Sequence, residues 1–522
     1  MKTYNRKTPM KINVFQTFVK LVPKIIKVSP LIFLSGFFLN LIDGVIFGSI
    51  TYITQILLDS ATGFVSGENK IITVVYAMIA WGAVHIIWQV INGVSYFMNM
   101  MYLRKAQGHL SLEIHEKISR LDPICFEDPE ILDGINKAEM GKNAAASFVN
   151  SIMIVTNVHT PYFICMSIYL YNVKPLLIVS LLLIFMPTLL TQILRAKIFD
   201  KAEDASASVR RECLYYEKCI TGREYFKETR ILGAFSYFRE KYVDLLRTLN
   251  KLVYSASVKS DIAELGMKLL SLFGYIGILI MLFVSLMNRE ISVGAFAAIF
   301  GAVGQMFSRM EEVMYRNFGS AARDFGMAKN YLKFLDLDER VDSNTVAIED
   351  GDISLRNVSF SYPGAQYKAI DDVELTIRRG ETVAIVGENG SGKSTLVRLI
   401  TGLYLPDVGD VQCGNINTKA HSLKALYSNI SAVFQKYQQY QMTMRENIGI
   451  SDVKKAADND SLDIVCEKAG INSNDSSFVN GYETMLSREF DGVDLSGGQW
   501  QRIAIARCIF RSSQLIILDE PT

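Results

Sequence analysis

Six long apolar runs crowd into the first 320 residues of this 522-residue chain, and they restrict its fold more than any other feature. A bilayer core takes roughly 20 residues of helix to cross. Inside it every backbone polar group must bond within its own segment, which leaves helices or closed barrels. The runs fall near Pro30–Leu58, Ile71–Leu103, Phe148–Tyr171, Pro175–Leu194, Ile262–Met287 and Ile291–Met310. Each is long enough for a membrane-spanning helix. The third is interrupted by Asn157, His159 and Pro161, and the sixth is rich in Gly and Ala, which suits close helix packing more than lipid contact.

Loop charge predicts the orientation. The short connections Asp59–Lys70, Asn172–Lys174 and Asn288–Glu290 are poor in Lys and Arg, whereas 104–142 and 195–259 are long and rich in them. Positive charge inside puts both termini in the cytoplasm of a multi-pass cell-membrane protein. Residues 1–27 carry seven Lys or Arg and precede an apolar run too long for a cleavable signal, so they read as a cytoplasmic lead-in. Both long connections are helical in pattern over Leu110–Leu121 and Tyr215–Leu246, with breaks at Asp122-Pro123 to Asp128-Pro129 and at Thr221-Gly222.

Four ionisable residues lie in or near the spans. Glu264 and Lys268, four apart on one helical face, are expected to pair with each other. Asp43 and His85 either line a path through the membrane or pack against polar neighbours.

Charge is balanced, 54 basic residues against 53 acidic, which leaves no basic field for a nucleic-acid partner. The seven cysteines are scattered without a Cys-x-x-Cys pair, against both a disulfide framework and a zinc site. From Leu335 to Gly351 the composition turns acidic, as in a linker. Strand-like segments follow at Ile353–Tyr362, Val373–Ile377, Thr382–Val386 and Ile430–Phe434.

After the run Thr382–Val386 comes Gly387-Glu388-Asn389-Gly390-Ser391-Gly392-Lys393-Ser394-Thr395, opening the helical stretch Leu396–Leu403. Strand, glycine-rich loop and helix are the context a phosphate-binding loop needs. The glycines let successive N–H groups turn toward phosphate oxygens, and the helix start adds its positive end. Lys393 is then placed for β- and γ-phosphates, the Ser394 hydroxyl for Mg²⁺, and Thr395 for a further phosphate contact. A bland Gly-rich turn is the alternative for this motif alone.

Leu515-Ile516-Ile517-Leu518-Asp519-Glu520 is an apolar run ending in two carboxylates. It reads as a fully buried parallel strand with its ligand end at the acids. Asp519 would hold Mg²⁺, and Glu520 would accept a proton from an attacking water. Taken alone, it also reads as an ordinary strand ending in surface acids. A third motif, Leu495-Ser496-Gly497-Gly498-Gln499, stands before the helical stretch Trp500–Arg507 and offers a second phosphate-binding helix start. One nucleotide does not need two such sites in one subunit, so this one is read as serving a nucleotide held by another copy.

With the phosphate loop, this pentapeptide resembles the signature of ATP-binding-cassette ATPases, in matching order and spacing. Within Ser359-Phe360-Ser361-Tyr362-Pro363-Gly364, Tyr362 resembles the aromatic that stacks on adenine. Gln435 resembles the glutamine that links Mg²⁺ and the attacking water to the membrane domain, and Thr443-Met-Arg-Glu-Asn-Ile448 follows it as in exporters. The resemblance implies an α-helical six-span transmembrane domain followed by an α/β P-loop NTPase domain. The divisions expected are a lead-in at 1–27, a membrane domain at 28–335, a linker at 336–350 and a cassette at 351–522.

The resemblance further implies ATP and Mg²⁺ as ligands, a second subunit as homo- or heterodimer partner, surrounding membrane lipid, and an exported small molecule, peptide or lipid. The tips near Phe126–Asp133 and Thr221–Gly233 would be coupling helices resting on the ATPase domains. In this pattern the chain continues beyond Glu520-Pro521-Thr522 with further strands and a γ-phosphate-sensing histidine, so the cassette is expected to be incomplete at its C-terminus. The acidic Gly-rich stretch before the signature is only partly matched by Ser487–Gly492. Other classes in view are an ATP-gated channel or regulatory subunit, and an inactive ATP-binding product.

Overall fold

The computed structural model describes residues 13–340, 351–420, 423–456, 458–472 and 477–519. The chain divides into two compact units, Lys11–Ile114 with Lys137–Phe334, and His115–Asn136 with Leu335–Thr522.

The membrane unit is helical. It starts with α1 (Val14–Val28), α2 (Pro30–Val65) and α3 (Ile71–Arg120). Next come α4 (Pro129–Ile154), α5 (Thr160–Val173), α6 (Leu176–Thr221) and α7 (Phe226–Ile231). It closes with α8 (Phe235–Met287), α9 (Val293–Glu311) and α10 (Gly319–Leu335). Among the described residues, five helical stretches are long and apolar enough to cross a membrane: 30–65, 71–120, 129–173, 235–287 and 293–335. The remaining expected span, Pro175–Leu194, forms the first half of α6 and lies partly outside the described side chains.

The interruption expected in the third span is a π-helical segment, Val155–His159, which ends two residues before Pro161. Proline supplies no N–H to the ladder, and a wider turn accommodates the loss. A second π segment, Glu312–Phe318, follows α9, and Asn317 Nδ2 lies 3.3 Å from His159 Nε2. Close approach of α2 to this region depends on glycine. A Cβ on Gly44 would stand 2.3 Å from the Val158 carbonyl oxygen, so no side chain fits there.

The alanines of the sixth run pack as expected, whereas Gly301 and Gly304 face open space. Ala295, Ala298, Ile299, Ala302, Val303 and Met306 share one buried face, packed with Tyr162, Met166 and Leu282. Lys268 reaches Glu264 at 3.0 Å as predicted, and also Glu311 at 3.2 Å. Asp43 is buried, and Asn92 donates to both of its oxygens at 3.3 Å, which is the packing alternative. His85 is half-buried against Trp81, ring centroids 4.2 Å apart.

The second unit carries an antiparallel sheet of order β2-β1-β3-β4. Its strands are β1 (Ile353–Phe360), β2 (Ile370–Ile377), β3 (Val408–Cys413) and β4 (Ile416–Asn417). β3 escapes sequence reading because Gly409 and Asp410 break its apolar pattern. The register between β1 and β3 shifts between Arg356 and Ser359. There Gly409 has φ +78°, and a Cβ would lie 2.2 Å from the Arg356 carbonyl oxygen, so the bulge requires glycine.

Helix α11 (Lys393–Ile400) lays Leu396, Leu399 and Ile400 against Leu355, Val358 and Val411 of this sheet. α12 (Leu423–Ser428) leads into β5 (Ile430–Val433), which pairs in parallel with β6 (Leu515–Leu518). A second core gathers α13 (Met444–Gly449), α14 (Asn459–Lys468) and α15 (Gly497–Phe510) around Met444, Ile448, Leu462, Trp500 and Ile503.

Two strand expectations are corrected. Thr382–Val386 forms no ladder, and Val386 is 88% exposed, because no described strand lies beside it to satisfy its N–H and C=O groups. β6 is not buried on both faces. Ile516 and Leu518 are each 53% exposed, since no described element covers that side.

The break predicted at 122–129 is a 3₁₀ turn, Pro123–Glu127, between α3 and α4. It belongs to the same compact unit as the sheet, and Ile124 packs against the β1–α11 core. Residues just after α10 are fastened there too. Lys117 donates to Glu339 at 2.9 Å, and Arg340 donates to the carbonyls of Gly402 and Thr418 at 2.9 and 3.0 Å. The hydrogen bond from Lys117 holds the Glu339 carboxyl below its ordinary range. The linker residues 341–350 lie outside the described residues.

Candidate nucleotide-binding site

The phosphate loop has the backbone its glycines permit. Gly390 and Gly392 take φ +85° and +91°, and Gly392 is the residue from which α11 begins. A Cβ on Gly392 would stand 2.7 Å from the Ala369 carbonyl oxygen. Gly387 and Glu388 offer their carbonyls to the Lys393 ammonium at 2.8 and 2.9 Å, so the side chain curls over the loop it opens. Ser391 N donates to the Glu388 carbonyl at 3.2 Å and tightens the turn around Asn389. Ser394 and Thr395 occupy the first turn of α11.

Tyr362, just past β1, is brought to this loop. Its hydroxyl lies 3.0 Å from Thr395 Oγ1. Its ring stands edge-on to Phe360 and Tyr404, centroids 5.3 and 5.9 Å away.

Gln435 and Asp519 are joined by the parallel pair β5–β6. Val433 stands opposite Leu518, and Asp519 N donates to the Val433 carbonyl at 2.9 Å. Both candidate ligands therefore leave the C-terminal ends of adjacent strands, where open α/β sheets bind ligands. The donors proposed for Mg²⁺ are a hydroxyl (Ser394), an amide (Gln435) and a carboxylate (Asp519). An all-oxygen set of this kind suits Mg²⁺. Glu520 lies outside the described residues.

Ser496 caps α15 in a reciprocal box. Gln499 N donates to Ser496 Oγ at 3.3 Å, and Ser496 N donates to Gln499 Oε1 at 2.9 Å. The following N–H groups of Gly497 and Gly498 open a 14-residue helix whose first turn carries no acidic residue. Among the described residues no hydrogen bond or ion pair joins Leu495–Gln499 to Gly387–Thr395.

Sequence reasoning missed the residues that hold the segment after Gln435. Asn447 is fully buried and donates from Nδ2 to the carbonyls of Tyr440, Met442 and Thr443 at 3.0 to 3.1 Å. Arg507 of α15 donates to Asn447 O at 2.9 Å, to Asn447 Oδ1 at 3.1 Å and to Gln438 O at 3.3 Å. Arg507 at the end of the apolar run Ile503–Ala506 was the visible signal, but its partners lie 60 and 69 positions away. Asn447→Ala removes the buried amide that gathers three loop carbonyls and the Oδ1 that accepts from Arg507, while the backbone bonds of these groups remain. It is expected to destabilise this unit by about 2–4 kcal/mol, read as an earlier thermal unfolding transition.

A glycine-cradled phosphate loop, paired strand ends bearing oxygen donors, and a second helix start define a P-loop ATPase joined to a helical membrane domain. Residues 370–522 match the family described as "ABC transporter". The subtilin transport ATP-binding protein SpaT of Bacillus subtilis is 28% identical over 492 residues, 90% of this chain and 77% of that protein. The nisin transport ATP-binding protein NisT of Lactococcus lactis is 30% identical over 326 residues, 60% of this chain and 54% of its own length. The lipid A-core flippase of Vibrio vulnificus is 32% identical over 243 residues, 46% of this chain and 41% of its own. A bacterial Atm1-family ABC exporter solved with ATP bound shares the fold at a TM-score of 0.73 and 15% identity, over 94% of this chain and 86% of that one.

By this match residues 370–522 are a domain of the ABC transporter class, and the helical unit precedes them on the same polypeptide. That class is an ATPase coupled to transmembrane transport.

Proposed function

We propose that this chain is one half of a dimeric exporter that moves a peptide out of the cell at the expense of ATP. The observation that carries the reading is the pair of phosphate-type helix starts, at Lys393 and at Ser496, with no hydrogen bond or ion pair between them among the described residues. A second copy, identical or related, supplies the missing half of each site. Residues 28–335 form the membrane path, with both termini and the ATPase domain in the cytoplasm.

In each site, Tyr362 stacks on adenine, and the loop N–H groups of Gly387–Gly392 with Lys393 hold the phosphates. Ser394, Gln435 and Asp519 hold Mg²⁺, which supplies charge neutralisation on the phosphate oxygens when bound. The Glu520 carboxylate takes the proton of the attacking water. The partner's Ser496–Gln499 segment closes over the γ-phosphate. Peptide cargo is favoured over lipid by the extent of the likeness. The subtilin-transport relative matches over 492 residues and so includes the membrane unit, whereas the flippase matches over 243.

Two measurements test this. In inside-out vesicles containing the complete transporter, labelled nisin and subtilin are expected to accumulate only with ATP and Mg²⁺. ATP consumption without vectorial movement of any peptide would sink the export reading. Separately, Lys393→Ala and Ser496→Arg subunits are each expected to be inactive alone and to regain hydrolysis when co-assembled, because one composite site is then intact. No recovery in verified mixed dimers would show that the two motifs do not share a nucleotide.

A further inference from the structure

The turn Pro123–Glu127 and the adenine-side aromatics meet at one guanidinium. Arg398 Nη1 donates to Tyr362 Oη at 3.0 Å, to Tyr404 Oη at 3.2 Å and to Glu127 Oε1 at 3.4 Å. The Tyr404 hydroxyl donates to the same Glu127 oxygen. Burial first, then the neighbouring Glu127 carboxylate, hold the Tyr404 phenol above its ordinary range, so it stays a donor. The Tyr404 ring lies 5.3 Å beneath the Arg398 guanidinium and stacks on Phe360 at 5.5 Å. Ile124 packs into the same aromatic cluster.

An ion pair as exposed as Glu127–Arg398, with 40% and 33% of the two side chains accessible, contributes little by itself. What distinguishes it is the shared Nη1, which makes the position of Tyr362 and the position of Glu127 one problem.

We propose that Arg398 is a positioning residue that relays nucleotide occupancy from Tyr362 to the cytoplasmic turn 123–127 of the same chain. The inference rests on the assignment of Tyr362 as the adenine platform. Here the Thr395 hydroxyl is engaged by Tyr362. Arrival of a nucleotide draws Thr395 to a phosphate oxygen and fixes the Tyr362 ring against the base. The Tyr362 hydroxyl is then left to Arg398 alone, and the balance among its three acceptors shifts at Glu127. Because coupling of two sites is reciprocal, the turn in turn biases nucleotide affinity.

The test is amide hydrogen exchange in the complete transporter, with and without AMP-PNP, at Cys125 and Asp128, whose N–H groups bond within the turn. The buried Leu462 of α14 serves as a reference for global unfolding. AMP-PNP is expected to change exchange in the turn by several-fold in the parent. Tyr362→Phe keeps the stacking face, and at AMP-PNP concentrations that saturate each protein the response of the turn is expected to disappear. Glu127→Gln and Arg398→Lys lose the response as well, and Glu127→Arg combined with Arg398→Glu restores it. A parental response in all three single variants overturns the relay. Tyr362→Ala keeps the two readings apart, with an expected loss of about tenfold or more in affinity. Unchanged affinity there removes the adenine assignment. A weakened Tyr362→Ala beside a fully responsive Tyr362→Phe removes the relay alone.

Discussion

Replacing Lys393 with alanine is expected to lower kcat/KM for ATP by about 10³-fold, through weaker binding and slower hydrolysis together. The ammonium is the one positive side chain within the loop Gly387–Thr395, and transferring phosphoryl groups concentrate negative charge where it reaches. In the structure it bonds the Gly387 and Glu388 carbonyls. In the proposed site those bonds would be exchanged for phosphate oxygens, and alanine can make neither set. The loop itself should persist, because its turns rest on Gly390, Gly392 and the Ser391–Glu388 bond rather than on the lysine. Equilibrium binding of a fluorescent ATP analogue, steady-state hydrolysis and the thermal unfolding midpoint check the three parts. An unchanged affinity for ATP would contradict the role given to Lys393.

The second large effect has a different signature. Glu520→Gln is expected to slow hydrolysis by about 10²–10⁴-fold, the range for loss of a general base, while ATP binding stays near that of the parent. The amide keeps the shape and a hydrogen-bonding oxygen but no longer accepts the proton released as water attacks phosphorus. The variant should therefore accumulate in the nucleotide-bound dimer, with ATP rather than ADP retained. Single-turnover hydrolysis distinguishes this from the lysine variant, which loses nucleotide at the outset. Hydrolysis at the parental rate would remove Glu520 as the base.

The membrane helices were legible because their signal is local and long. A run such as Ile262–Met287 has few alternatives to a helix once lipid surrounds it. The interruption at Asn157–Pro161 was equally visible, since a missing N–H acts where it occurs. The phosphate loop was legible for a related reason. The positive φ values at Gly390 and Gly392 need residues without a Cβ, and that need is written in the loop itself. The strand assignments fared less well. Thr382–Val386 has the composition of a strand but no described neighbour, and β3 has a neighbour but not the composition. Pairing is a property of two segments, and neither carries the information alone.

The sequence by itself determined the class of this protein, a run of membrane helices ahead of a P-loop ATPase, because apolar length and glycine placement act over short stretches of chain. Only the tertiary structure decided which distant residues serve that machinery. Asn447 and Arg507 pin the segment after Gln435 across 60 positions. Glu127 meets Arg398 across 271 positions. Such contacts depend on how sheet, helices and turn converge in space, and a hydrogen bond between remote side chains leaves no periodicity, spacing or composition by which it could be read.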